Sequence, residues 1–176
     1  MANKQFQIAV RRNRGKQLQS AFIRELAAAL GRRDDSIRIL TLDETDLLWQ
    51  KVESRVQACN NGEIPCYRRR WVESQLDELR TFLHQLRGIL SNGPLVLFRS
   101  LSEYCGALET DTREVLGRAL QLVSLDQDDL IAVNRDASKG IMLGLDTDKY
   151  VTGDVVVYEL IIWGEEWLNV LDFQWE

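Results

Sequence analysis

Three cysteines and one histidine are the soft or readily titrating side chains of this 176-residue chain, so their spacing bounds the chemistry open to it. Cys59 and Cys66 stand seven positions apart, wider than the Cys-x₂₋₄-Cys pairs that usually hold zinc. Cys59 also extends the apolar face of a helical pattern and reads as a packed thiol. Cys105, between Tyr104 and Gly106 in a loop, is the better candidate for a reactive thiol, but no histidine neighbours it in the sequence. His84 falls on the polar side of its helical pattern and reads as an exposed surface residue. A Gly-rich phosphate loop, a Gly-x-Ser-x-Gly elbow and a His-Glu-x-x-His pair are absent from the sequence, and nothing singles out two carboxylates for acid–base work. Asp146-Thr147-Asp148 with Asp154 is acidic but lacks the glycine and glutamate of a calcium loop, which leaves a solvated hairpin turn. The expectation is a chain with no catalytic residue, no metal and no cofactor.

Binding chemistry is better represented. Trp163-Gly164-Glu165-Glu166-Trp167 sets two tryptophans around two carboxylates, the composition either of a contact hot spot for a basic partner or of aromatics closing a core. Tyr67-Arg68-Arg69-Arg70-Trp71 interleaves cations with aromatics, and Arg11, Arg12, Arg14 and Lys16 add a second basic cluster. Such clusters bind phosphates and stack bases, or they pair with acids of the same chain. The net charge of −5 is unevenly spread. From Asp126 to Glu176, 12 acids face Arg135, Lys139 and Lys149, a net −9 that leaves +4 on the preceding 125 residues. A field of one sign steers a cationic partner and repels nucleic acid.

The elements that position these groups follow from hydrophobic spacing. Leu18, Phe22, Ile23, Leu26 and Leu30 form one helical stripe over Lys16–Leu30, with Gly31 as its stop. Ser36 to Leu42 alternates as a short strand, after which Asp43 caps a helix carrying Leu48, Trp49, Val52 and Val56. The spacing of Trp71, Val72, Leu76, Leu79, Phe82, Leu83, Leu86, Ile89 and Leu90 predicts one long helix from about Tyr67 to Leu90. Leu95–Phe98 reads as a buried strand, 100–109 as a loop, and Asp111 or Thr112 as the start of a further helix. Leu130–Val133, Ile141–Leu145 and Val155–Trp163, separated by turn-rich stretches, predict a three-stranded antiparallel meander. Its last strand is apolar on both faces except at Glu159 and belongs inside a covered sheet.

With 45% hydrophobic and 28% charged residues, the chain suits one globular domain, helix-rich over 1–125 and a meander over 126–176. The expected fold class is α+β, with helices packed on an antiparallel sheet. Val155–Trp163 is too short to span a bilayer, and the first residues lack an apolar leader. Together with the low cysteine count, that predicts a soluble cytoplasmic protein without a membrane partner.

The segment Asp129–Asp146, followed by Gly153–Leu160, resembles the meander of bacterial polymorphic-toxin immunity proteins: a strand enters an Asp/Gly turn, a hydrophobic-x-Leu-Asp strand follows, and a third strand carries Val-x-x-Tyr. The resemblance covers about the C-terminal third of the chain. It implies a stoichiometric inhibitor that performs no catalysis and binds one cognate toxin domain. On charge grounds that partner is basic, for example a nuclease. The contact residues expected on this reading are Asp126, Asp128, Asp129, Asp136, Asp146, Asp148, Asp154, Glu165 and Glu166, with Trp163 and Trp167 as anchors. The alternative is a nucleic-acid-associated regulatory protein that uses the basic patches at 11–16 and 68–70.

Overall fold

A computed structural model describes residues 2–126, 129–148 and 155–172. The chain runs α1 (Ala2–Leu30), α2 (Leu42–Asn60), β1 (Cys66–Val72), α3 (Leu76–Ile89), β2 (Pro94–Phe98), a single turn α4 (Ser102–Cys105), β3 (Leu108–Asp111), α5 (Thr112–Asp126), β4 (Leu130–Val133), β5 (Gly140–Asp148), β6 (Val155–Trp163) and α6 (Glu165–Asp172). All strands pair antiparallel in one sheet of order β1-β6-β5-β4-β2-β3. The fold is α+β, and β4-β5-β6 is the expected meander.

Alternation along the strands divides the side chains between two apolar layers. Leu95, Leu97, Leu130, Ala132, Ile141, Leu143, Leu160 and Ile162 pack with α1, α3, α5 and α6. Val96, Phe98, Ile131, Val133, Ile161 and Trp163 pack with Leu48, Val52 and Cys59 of α2. Helices therefore cover both faces, which is why the inner strands carry almost no polar residue. Among the described residues, no helix is long and apolar enough to cross a membrane.

Several local expectations change. The helix predicted from Tyr67 is a strand up to Val72, and α3 begins only at Leu76. The arginines fit either period, but Tyr67, Trp71 and Val72 favour a pleated surface, and a seven-pair ladder with β6 decides the outcome. Asp77 and Glu78 then occupy the first turn of α3, where carboxylates suit the helix dipole. A 3₁₀ turn occupies Asp34–Ser36, and the residues that follow it, up to the start of α2, make one bridge, Ile39 to Leu108, instead of a strand. The presumed loop 100–109 holds α4 and the start of β3. Helix α1 begins 14 residues earlier than its apolar stripe, and the cap of α2 is Thr41, which forms a reciprocal capping box with Glu44.

Gly140 illustrates how tightly the meander is set. It sits opposite Trp163 in the β5–β6 register, and a Cβ there would run into the indole ring. The indole N–H in turn donates to the Ala137 carbonyl (3.2 Å), and Ala137 holds a left-handed φ of 59° in the β4–β5 turn. Gly140→Ala is expected to destabilise the fold by about 1–3 kcal/mol through overpacking, read by chemical denaturation. Unchanged stability would mean that the indole does not lie across this position.

Candidate functional site

Where β2 ends and β4 begins, α2 leaves part of its sheet face open, and a cavity of about 370 Å³ lies there. Its wall is aromatic: Trp49 of α2, 38% exposed, and Phe98 at the end of β2 meet with ring centroids 5.2 Å apart. Its rim is acidic, with Asp46 of α2, Glu103 of α4 and Asp129 ahead of β4. Asp129 fits because Gly144 on the adjacent strand has no side chain; a Cβ there would lie 2.8 Å from the carboxylate Oδ1.

The other charged lining residue is Arg99, whose side chain is 3% exposed. It follows an all-apolar strand, and Glu25 of α1 accepts from its guanidinium (3.3 Å). The backbone N–H of Arg99 donates to Ser102 Oγ (3.0 Å), which fixes α4 at the strand end. Arg11 clamps the rim from behind with a bidentate pair to Asp46 (2.7 Å each) and a bond to the Glu103 carbonyl. The Asp46 hydrogen bonds, foremost among the causes, raise the pKa of Arg11. Gly15 lets α1 approach this closely, since a Cβ there would strike the Tyr104 carbonyl. Thr45 completes the anchoring of α2: it accepts from the Ala107 N–H (3.0 Å) and donates to the Thr41 carbonyl (2.8 Å).

The expected contact residues fall at opposite ends of the sheet. Asp126 ends α5, Asp129 precedes β4, and Asp146 and Asp148 lie towards the end of β5; these share the end with the cavity. Asp136, Glu165 and Glu166 sit at the other end, roughly 27 Å away for the eight steps of β5. Asp128 and Asp154 lie outside the described residues. At the far end the acids hold local structure. Asp136 accepts from the Ser138 N–H (3.0 Å), a bond that pulls its carboxyl below the usual range. Glu166 accepts from Lys139 Nζ (2.8 Å) and Ser91 Oγ (2.5 Å) and is held low by the same two groups. Trp163 and Trp167 are corrected from partner anchors to core residues, each 1% exposed. Both spend their indole N–H inside the fold, Trp167 on Ser91 Oγ (3.2 Å).

The basic clusters are separated as well. Arg12 lies 3.8 Å from Asp43, Arg14 stacks on the Tyr104 ring at 4.5 Å, and Arg70 donates to Glu159 (2.7 Å). Trp49, Phe98, Arg99, Asp46 and Glu103 were not singled out as site residues by their spacing. A buried arginine closing an apolar strand is the one signal of them that the sequence carries.

Cys105 is buried at the end of α4, and that burial raises its thiol pKa. Burial also pushes Cys59 up to about 11, with Cys66 adding to the effect. Native Cys59 and Cys105 are therefore expected to react with a neutral alkylating reagent at pH 8 at least about tenfold more slowly than in denaturant. Labelling of native Cys105 faster than an unperturbed thiol would return it to the list of reactive groups. No family model, curated protein or solved structure matches this chain.

Proposed function

We propose that this chain is a non-enzymatic immunity protein, which binds a cognate bacterial toxin domain and occludes its active or substrate-binding surface. The observation that carries the reading is the open cavity at the acidic end of the sheet. An exposed tryptophan face beside Glu103 and Asp129 suits a lysine or arginine side chain, through cation–π and charge contacts together. A toxin that acts on nucleic acid must hold cations where its substrate sits, so an acidic inhibitor competes for that surface. The resemblance of the C-terminal meander to immunity proteins supports the same assignment. A cytoplasmic location belongs to this proposal, because the inhibitor must meet its toxin where the toxin acts.

Within the proposal, the contact surface centres on Trp49, Glu103 and Asp129, with Asp126, Asp146 and Asp148 belonging to the same end of the sheet. The nucleic-acid alternative draws less support. Arg11 is engaged by Asp46, Arg69 stacks over Trp71, and Arg68 and Arg70 share Glu159.

The tagged protein, incubated with bacterial lysate at moderate salt, is expected to retain one near-stoichiometric basic polypeptide. That polypeptide should be toxic when expressed alone and harmless when co-expressed with this chain. Glu103→Lys combined with Asp129→Asn should lower its recovery about tenfold or more. Unchanged recovery by the double variant, or retention of nucleic acid in place of a protein, would overturn the reading.

A further inference from the structure

Residues 59–66 bring two of the three cysteines back to one place. Helix α2 ends in a Schellman turn. Gly62, at a left-handed φ of 71°, donates its N–H to the Cys59 carbonyl (3.2 Å), and the Glu63 N–H reaches the Ala58 carbonyl (2.8 Å). The turn reverses the chain, and β1 starts at Cys66, opposite Trp163 of β6. Cys66 Sγ thereby lies 3.9 Å from the Cys59 carbonyl, and both cysteines belong to the apolar layer beneath α2.

The two thiols differ in what can reach them. Cys59 is buried, whereas Cys66 is half-buried and lines an open cavity of about 700 Å³ with Arg55, Tyr67 and Trp163. Burial is the main cause that pushes Cys59 up to about 11, and Cys66 adds to it by its charge and by a hydrogen bond between the two thiols. Such a bond needs the sulfurs in contact. Arg68 and Arg55 act in the opposite sense, as cations beside the pair that favour thiolate.

We infer that Cys59 and Cys66 form a modification site, which a low-molecular-weight disulfide converts into an intramolecular disulfide. The Cys66 thiolate attacks one sulfur of the reagent, forming a mixed disulfide and expelling one thiolate. Cys59, as thiolate, then attacks the Cys66 sulfur, and the second reagent thiolate leaves. The protons of the two protein thiols end on the two released thiols, so the protein is oxidised and the reagent reduced. Capping Cys66 also removes the charge and the hydrogen bond that help Cys59 to keep its proton. The new bond closes an eight-residue ring and ties the end of α2, which covers one face of the sheet, to β1. Cys105 packs in the other apolar layer and takes no part. The site does not depend on the acidic cavity.

The test treats the whole chain with glutathione disulfide, followed by an acid quench, alkylation in denaturant and tryptic mass spectrometry. Cleavage after Arg55 and Arg68 leaves both cysteines on one peptide, 56–68. From the native chain this peptide should emerge two hydrogens lighter and closed to alkylation, with Cys105 still alkylated. At a fixed ratio of reduced to oxidised glutathione, the ratio of closed form to mixed disulfide should be at least about tenfold higher in the native chain than in denaturant. By the same linkage, the oxidised chain should unfold several degrees higher than the reduced one. Cys59→Ser should stop at a glutathione adduct on Cys66, and Cys66→Ser should leave Cys59 unmodified. The inference is overturned if the native peptide stays unmodified or stops at the glutathione adduct. It is overturned likewise if closure is no more favoured in the native chain than in denaturant, or if Cys105 pairs with either residue.

Discussion

Everything else in this molecule depends on a six-stranded antiparallel sheet whose inner strands are covered on both faces. A strand with no solvent face cannot alternate polar and apolar residues, so β2, β4 and much of β6 read as continuous apolar runs. Polar groups are driven to the strand ends and the sheet edges, since a buried charge is tolerated only when paired. Asp129, Asp136, Glu165 and Glu166 stand at the two ends of the sheet for this reason. The arginines of β1 stand on an edge for the same reason, with Glu159 between two of them.

The two ends of the sheet are built differently. At the β4–β5 turn, acids hold local structure: Asp136 closes the turn, and Glu166 ties α6 to Lys139 and Ser91. Trp163 and Trp167 close the two apolar layers beside them. At the other end, α2 stops short of covering the sheet, and carboxylates rim an aromatic hollow. Arg11 and Arg99 stiffen this hollow, each paired to a carboxylate.

How legible this was from the sequence varied with how local the determining signal is. Leu130–Val133 and Val155–Trp163 are bounded correctly because uninterrupted apolar runs between turn residues have few other uses. Residues 67–72 read as helix in the sequence because a run of three arginines satisfies helical and strand periods alike, and only pairing with β6 separates them. Helix α1 extends over residues that show no single apolar face; Phe6, Ile8 and Val10 are exposed along it. Of the cavity's charged rim, Asp129 belongs to the acidic segment that the sequence marks out. Arg99 and Glu103 share one local turn, and Asp46 of α2 meets them only through tertiary packing. Trp49 lies on the apolar stripe of α2, where nothing in the spacing distinguishes a core tryptophan from one at a cavity mouth.

The central claim is that the acidic end of the sheet captures a cationic protein surface by charge. It is tested most directly by the association rate of the purified chain with its captured partner, measured across a range of ionic strength. The account predicts a rate that falls steeply between low and physiological salt, and that loses most of this dependence when Glu103 and Asp129 are neutralised. A rate indifferent to both salt and these substitutions would contradict it.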